Sequence, residues 1–196
     1  MSILVTGSLR GVSASADSMQ LHASNQSVTF PGDVTVSGTL TAAAGLYSSW
    51  AHVYELAASA GDDGGTFSSG AMRTRTLNQE EDPDGIVSIS SNQFTLAAGT
   101  YRITWNAPAF QCGAHTSQLY NVTDTSVAIR GSIAESHAGA DNAQTSSFGI
   151  GRITIGGSKA FEVQHQCATT RNDDGFGYAM GGQTYKFTTV EILKEA

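Results

Sequence analysis

The sequence predicts an all-β protein, with a short trimeric β shaft over residues 1–45 and an antiparallel β-sandwich of jelly-roll type over residues 46–196. Three observations predict it. Val5-Thr6-Gly7-Ser8-Leu9 and Val36-Ser37-Gly38-Thr39-Leu40 repeat one apolar-x-Gly-x-Leu rhythm, each with a further apolar residue two places upstream, Ile3 and Val34. The chain carries 22 Gly while only 14% of its 196 residues are charged, a mix suited to tight turns and uncharged strand faces rather than to a helical bundle. From residue 46 onward, short alternating segments recur at roughly 8–12-residue spacing with turn residues between them, the pattern of a sandwich or jelly roll.

The N-terminal segment comes first. Period-two alternation gives a strand one buried face. Segments this short, with so few large apolar residues, cannot build a core from one chain; they are stable when the same face of several chains converges on an axis. Val5, Leu9, Val34, Val36 and Leu40 are the expected axis residues. Residues 13–18 read as a loop, and Phe30-Pro31-Gly32-Asp33 as a turn, because Pro presets φ and Gly tolerates positive φ. Thr41-Ala42-Ala43-Ala44-Gly45 reads as a hinge. The competing reading of residues 1–45 is a loose tail.

In the second region the first strand spans Ala51–Leu56, although Trp50, Val53, Tyr54 and Ala57 also fit a short helix. Gly61-Asp62-Asp63-Gly64-Gly65 forces a loop. Met72–Leu77 is the next strand, followed by the acidic turn Glu80-Glu81-Asp82-Pro83-Asp84-Gly85. Residues 86–89 and 93–96 form a short pair around Ser91-Asn92. Thr100–Ala107 is the clearest strand, with Tyr101, Ile103 and Trp105 on one face and Arg102 and Thr104 on the other. Further strands follow at Ser117–Val122, Val127–Ser132, Ser147–Ile155, Ala160–Ala168 and Thr184–Leu193.

Composition excludes several functions. Net charge is −7, and the ten Lys and Arg form no cluster; nucleic-acid binding needs clustered cations to displace counterions from phosphates. No apolar run approaches the roughly 20 residues that cross a bilayer, so no membrane insertion is expected. Met1-Ser2-Ile3-Leu4-Val5 lacks a charged n-region and a long apolar stretch, so synthesis and assembly in a cytoplasm are expected. Two cysteines are too few for a disulfide framework.

Cys112-x-x-His115 and His165-x-Cys167 form a four-ligand set on paper, and in a strand His165 and Cys167 share one face. Forty-nine residues separate His115 from His165, which is not compact zinc-finger spacing. A Cys112–Cys167 disulfide is disfavoured in a reducing cytoplasm, and buried inert thiols are the expected state. Asp62-Asp63, residues 80–84 and Asp173-Asp174 offer oxygens to calcium, without the alternation of an EF-hand loop; solvated loops are the plainer reading. No Gly-x-Ser-x-Gly elbow occurs, and five scattered His define no general base. The expectation is a protein without cofactor and without catalysis, with calcium as the open alternative.

Several motifs of the second region come in a recognisable order: Thr74-Arg75-Thr76-Leu77-Asn78, Phe94-Thr95-Leu96-Ala97-Ala98-Gly99-Thr100-Tyr101-Arg102-Ile103, Leu119-Tyr120-Asn121-Val122-Thr123-Asp124, Gly175-Phe176-Gly177 and Val190-Glu191-Ile192-Leu193-Lys194. Over about residues 50–195 they resemble the trimeric head domain of many phage tail-fibre and virion proteins. That domain is similar to the jelly roll of complement globular heads and tumour-necrosis-factor-like ligands. The resemblance implies a homotrimeric virion fibre, attached to other virion proteins through residues 1–45 and carrying a distal head for host attachment. A capsid-bound head fibre or decoration protein has the same architecture, and a bacterial trimeric adhesin is the further alternative.

The residues fit that implication. Tyr101, Ile103, Trp105, Phe161, Val163, Tyr185, Phe187 and Ile192 are the expected core or trimer-axis set. Arg75 is expected at the surface unless a carboxylate or carbonyl partner accompanies it inside. Asn78 reads as a turn-former bonded to its own backbone. A host glycan or protein would be met by exposed loops on the rigid sandwich: Gln111 to Thr116, Glu135 to Thr145 and Arg171 to Phe176. The contact candidates are Gln111, His115, Thr116, His137, Asp141, Asn142, Arg171, Asn172, Asp173, Asp174 and Phe176.

Overall fold

The computed structural model describes residues 46–139 and 142–196, together with the backbone of residues 8–9, 19–21 and 28–29. The chain divides into two compact units, Met1–Ala43 and Ala44–Ala196. In the first, β1 (Ser8–Leu9), β2 (Met19–Leu21) and β3 (Val28–Thr29) form a small antiparallel sheet in the order β1-β2-β3, with Leu9 opposite Met19 and Leu21 opposite Val28. Val5, Val34, Val36, Leu40 and the hinge at 41–45 lie outside the described residues.

The second unit is a two-sheet antiparallel sandwich with no helix among the described residues. One sheet runs β11 (Ser126–Ser136), β10 (Gly113–Asn121), β13 (Lys159–Cys167), β8 (Gln93–Leu96), β7 (Val87–Ser90), with β5 (Arg73–Thr74) sharing the free edge of β13. The other runs β12 (Gln144–Ile155), β9 (Gly99–Phe110), β14 (Lys186–Glu195), β4 (Tyr47–Leu56), β6 (Gln79–Glu81). Most connections cross from one sheet to the other, only the β7–β8 and β10–β11 hairpins staying within a sheet, which is the jelly-roll arrangement.

Alternation along β9 drives the packing. Tyr101, Ile103, Trp105 and Ala107 are buried and meet Phe94, Leu96, Leu119, Phe161 and Val163 across the sandwich. Val53, Val190 and Ile192 complete the same core. Each large side chain removed from water contributes about 1.5–3 kcal/mol. Of the expected core set, Phe187 is buried under Gly177, where an added Cβ would lie 2.3 Å from its ring. Tyr185 is not a core residue: it precedes β14 in a loop, half-buried, and its hydroxyl donates to the Gly181 carbonyl at 3.4 Å.

Trp105 fixes the open side of the sandwich. Its ring lies over Gly149, its cross-strand partner, where a Cβ would fall 1.9 Å from Cζ2. Its indole N–H donates to Ser117 Oγ at 2.8 Å; Ser117 donates to Ser147 at 2.7 Å, and Ser147 to the Ser132 carbonyl at 2.6 Å. That relay joins β9, β10, β12 and β11, so it closes the seam between the two sheets.

Several local expectations change. Trp50 to Leu56 is strand rather than helix, because β4 pairs with β14 on one side and β6 on the other. Glu80 and Glu81 belong to β6 rather than to a turn. Only Arg73 and Thr74 of the Met72–Leu77 segment are strand. Asn78 does not cap its own turn; its side-chain amide brackets Leu56, accepting from the backbone N–H at 2.8 Å and donating to the carbonyl at 3.0 Å.

Candidate functional site

Three sequence-expected loops meet at one end of the sandwich. Phe110 N–H donates to the Gly175 carbonyl at 3.0 Å, and Gln111 N–H to the Ala143 carbonyl at 3.1 Å. Gln111 Nε2 donates to Asn142 Oδ1 at 3.1 Å. Phe67 and Arg171 exchange two backbone hydrogen bonds, which brings in the loop after β4. Arg171 grips Asp174 with two bonds at 2.5 and 2.7 Å.

The contact candidates separate by exposure. His137, Asn142, Asn172 and Asp173 are exposed, and Arg171 and Thr116 half-buried. Gln111, Asp174 and His115 are buried, at 8%, 8% and 2% exposure, and do not present themselves to a partner. Their segment explains this: only the turn at Gln111 interrupts the chain, where φ is 47°, and β10 begins at Gly113, so His115 and Thr116 are strand residues. Phe176 is half-buried, its ring stacked on Phe67 at 4.3 Å between centroids. Asp141 lies outside the described residues.

Beneath this end sits a buried polar network. Arg75 is fully buried and donates to Thr188 Oγ1 at 2.6 Å, the Pro108 carbonyl at 3.0 Å, the Phe176 carbonyl at 2.8 Å and Glu55 Oε2 at 3.4 Å. Its guanidinium also lies 4.1 Å from the Phe176 ring centroid, a desolvated cation–π contact. Burial lowers the Arg75 pKa to about 10, partly offset by Glu55; burial raises that of Glu55, against the pull of Arg75. The expectation of a surface Arg75 is corrected: it has the carboxylate and carbonyl partners that an inside position requires. It locks β4, β9, β14 and the Phe176 loop together.

His165 and His115 face each other on adjacent strands, Nε2 to Nδ1 at 2.9 Å, and His115 Nε2 meets Thr145 Oγ1 at 2.8 Å. His165 Nδ1 is buried without a partner. An unmatched lone pair costs less than an unmatched N–H, which assigns the tautomers. His165 donates from Nε2 to His115, and His115 donates from Nε2 to Thr145. Burial first, then the nearby Arg75 charge, lowers His115 to about 4 and His165 to about 2. Both imidazoles are neutral at physiological pH.

Cys112 and Cys167 are free thiols in a small cluster with Phe67 and Ala109. Burial pushes Cys167 up to about 12 and raises Cys112 as well. Among the described residues, no group of three or more His, Cys, Asp or Glu is arranged to hold a metal ion; Cys112, His115, His165 and Cys167 are near one another without converging on a point. The acidic residues have backbone duties. Asp82 accepts from Ile86 and Val87 N–H groups, Asp84 from Trp50, and Asp63 from Ala179.

The sequence reading passed over a second surface. On β12 the inward positions are Ser147, Gly149 and Gly151, while Phe148 and Ile150 point outward at 57% and 56% exposure. Ile133 on neighbouring β11 is 77% exposed. A groove of about 480 Å³ runs between Phe148, Ile150, Arg130 and Thr104. The signal was legible in Phe148-Gly149-Ile150-Gly151, an alternation with its large residues on the wrong face for a monomer. Leu46 and Trp50, beyond β14 in the same sheet, are 74% and 44% exposed. Glu55, Phe67, Thr188 and Tyr178 were also missed, and no local pattern marks them.

No protein-family model matches the chain, and no curated protein does. Among solved structures it is similar to the globular domain of zebrafish complement 1qA protein, at 12% identity over 74% of this chain and 95% of that one, with a TM-score of 0.46. It is also similar to murine APRIL crystallised at pH 5.0, at 9% identity over 74% and 98%, with a TM-score of 0.47. The strand order itself carries the assignment to a jelly-roll sandwich. No helix among the described residues is long and apolar enough to cross a membrane.

Proposed function

We propose that this chain is a self-associating, non-enzymatic binding head: a homotrimer on a phage virion fibre, attached to other virion proteins through residues 1–45 and meeting a host surface glycan or protein with its loop end. One observation supports the self-association. The edge strand β12 gives its small residues to the core and its Phe148 and Ile150 to solvent, with Ile133 beside them. Covering the exposed fraction of these three side chains contributes on the order of 4 kcal/mol per copy. The occupant that fits is a second copy, because Leu46 and Trp50 expose a different apolar patch elsewhere on the same sheet. Two unlike patches make a head-to-tail contact, which closes into a three-membered ring when each copy is turned by a third of a circle from the last.

Light scattering on the full chain tests this. The expected mass is about 61 kDa, three times the 20.4 kDa of one chain. The double substitution Phe148→Asp, Ile150→Asp is expected to leave a folded monomer. A monomeric wild type, or a double variant of unchanged mass, would sink the assembly. The host role is read by competition: purified protein should block adsorption of the particle that carries it.

A further inference from the structure

The loop end presents one aromatic ring in a fixed position. Tyr178 stacks on the buried Phe110 ring, with centroids 5.1 Å apart and planes 23° apart, yet 53% of it is exposed. Its backbone is held on both sides. Tyr178 N–H donates to Gln144 Oε1 at 2.6 Å, and Ala179 N–H to Asp63 Oδ1 at 2.6 Å. A ring held before binding loses little freedom on contact, and that is where preorganised sites gain affinity.

The chemistry around the ring is neutral. Gln144 and Asn142 are exposed side-chain amides, and each amide carries both a donor and an acceptor. Arg171, whose guanidinium lies 5.4 Å from the Phe110 centroid, is bound bidentate by Asp174, so its charge is matched. Asp62, Asp63 and Asp173 line the adjoining cleft, a field that repels anions. An acidic or phosphorylated partner would find no free cation here, and a protein hot spot needs a broader apolar floor than one ring. A hexose has what the surface lacks: an apolar C–H face to lie on the ring, and hydroxyls that both donate and accept.

The geometry points to a neutral-saccharide subsite, with Tyr178 as the stacking platform and Gln144 and Asn142 as hydroxyl partners. It rests on the reading of this chain as a binding head and names the class of its ligand. Saturation-transfer NMR on the full chain tests it, with lactose, maltotriose and chitobiose as neutral probes and 3′-sialyllactose as the anionic one. At least one neutral probe is expected to bind. Tyr178→Ala should weaken it at least about tenfold, and Tyr178→Phe, which keeps the ring, should change it less than about twofold. Transfer from no neutral probe, preference for the sialylated one, or equal binding by Tyr178→Ala would each overturn the proposal. Mass by light scattering on the same samples separates the two readings: a monomer that binds the saccharide strikes the assembly alone, and a trimer that binds none strikes this subsite alone.

Discussion

Lowering the pH from 7.5 to 5.0 should destabilise the head through two residues. His115 and His165 are buried at 2% and 0% exposure, and their folded-state pKa values are depressed from 6.5 to about 4 and about 2. The unfolded chain takes up a proton at each as pH falls below 6.5, while the folded chain does not. The stability is therefore fully present above pH 6.5 and lost as pH falls from there toward the folded values. Each residue contributes about 1.4 kcal/mol per pH unit in that window. At pH 5.0 the loss is about 2 kcal/mol per histidine, or about 4 kcal/mol for the pair. Glu55 works the other way: burial raises its folded pKa above the unfolded value. The folded chain therefore takes up that proton first as pH falls and gains stability in the window above the ordinary carboxyl range, offsetting part of the histidine loss. With a urea m-value of about 2 kcal/mol per molar, the midpoint should drop by about 2 M. The assay is urea unfolding at fixed protein concentration, because assembly adds its own concentration term. The double variant His115→Gln, His165→Gln should lose most of the slope. Proton NMR of the wild type gives an independent reading, with two imidazoles that do not titrate between pH 7.5 and 5.0. Equal midpoints at the two pH values, or two titrating buried imidazoles, would refute the reasoning.

Two further perturbations probe the fold that carries the loops. Arg75→Met removes four hydrogen bonds and leaves Glu55 buried beside no cation; the expected loss is about 3–5 kcal/mol, and pairing it with Glu55→Gln should recover part, as read by urea midpoints. Gly149→Ala drives a methyl into Trp105, where the nearest ring carbon would be 1.9 Å away. It should cost at least about 1–3 kcal/mol and shift the tryptophan fluorescence, whereas Gly156→Ala, with nothing within 4 Å, should leave both unchanged.

Strand existence was legible wherever alternation was strong. Tyr101, Ile103 and Trp105 announce β9, and Gly156-Gly157 announces the turn between β12 and β13. Strand length was less legible. β9 runs on to Phe110 and β10 starts at Gly113, because cross-strand partners in β12 and β11 continue to pair there, and pairing is not written locally. The three expected contact segments meet at one end of the sandwich, but much of Gln111–Thr116 is strand, and Gln111, His115 and Asp174 lie deeper than their polar type suggests. Polar type suggests exposure, whereas the partners that make burial of Gln111 and His115 tolerable, Asn142 and His165, come from distant segments; Asp174 is held by Arg171 in its own loop.

The sequence by itself determined an all-β chain, the face of each strong strand, the low cation content and the positions of the turns, because alternation and turn chemistry are properties of neighbours in the chain. Tertiary structure alone decided that Arg75 goes inside, that two histidines share one hydrogen bond, and that Phe148 and Ile150 are left facing out. Each depends on what stands across a sheet or across the sandwich: Glu55 and Thr188 for the arginine, paired strands for the histidines, and the Trp105 ring filling the space above Gly149. Burial and hydrogen bonding act through space, and only the folded chain brings those residues within range.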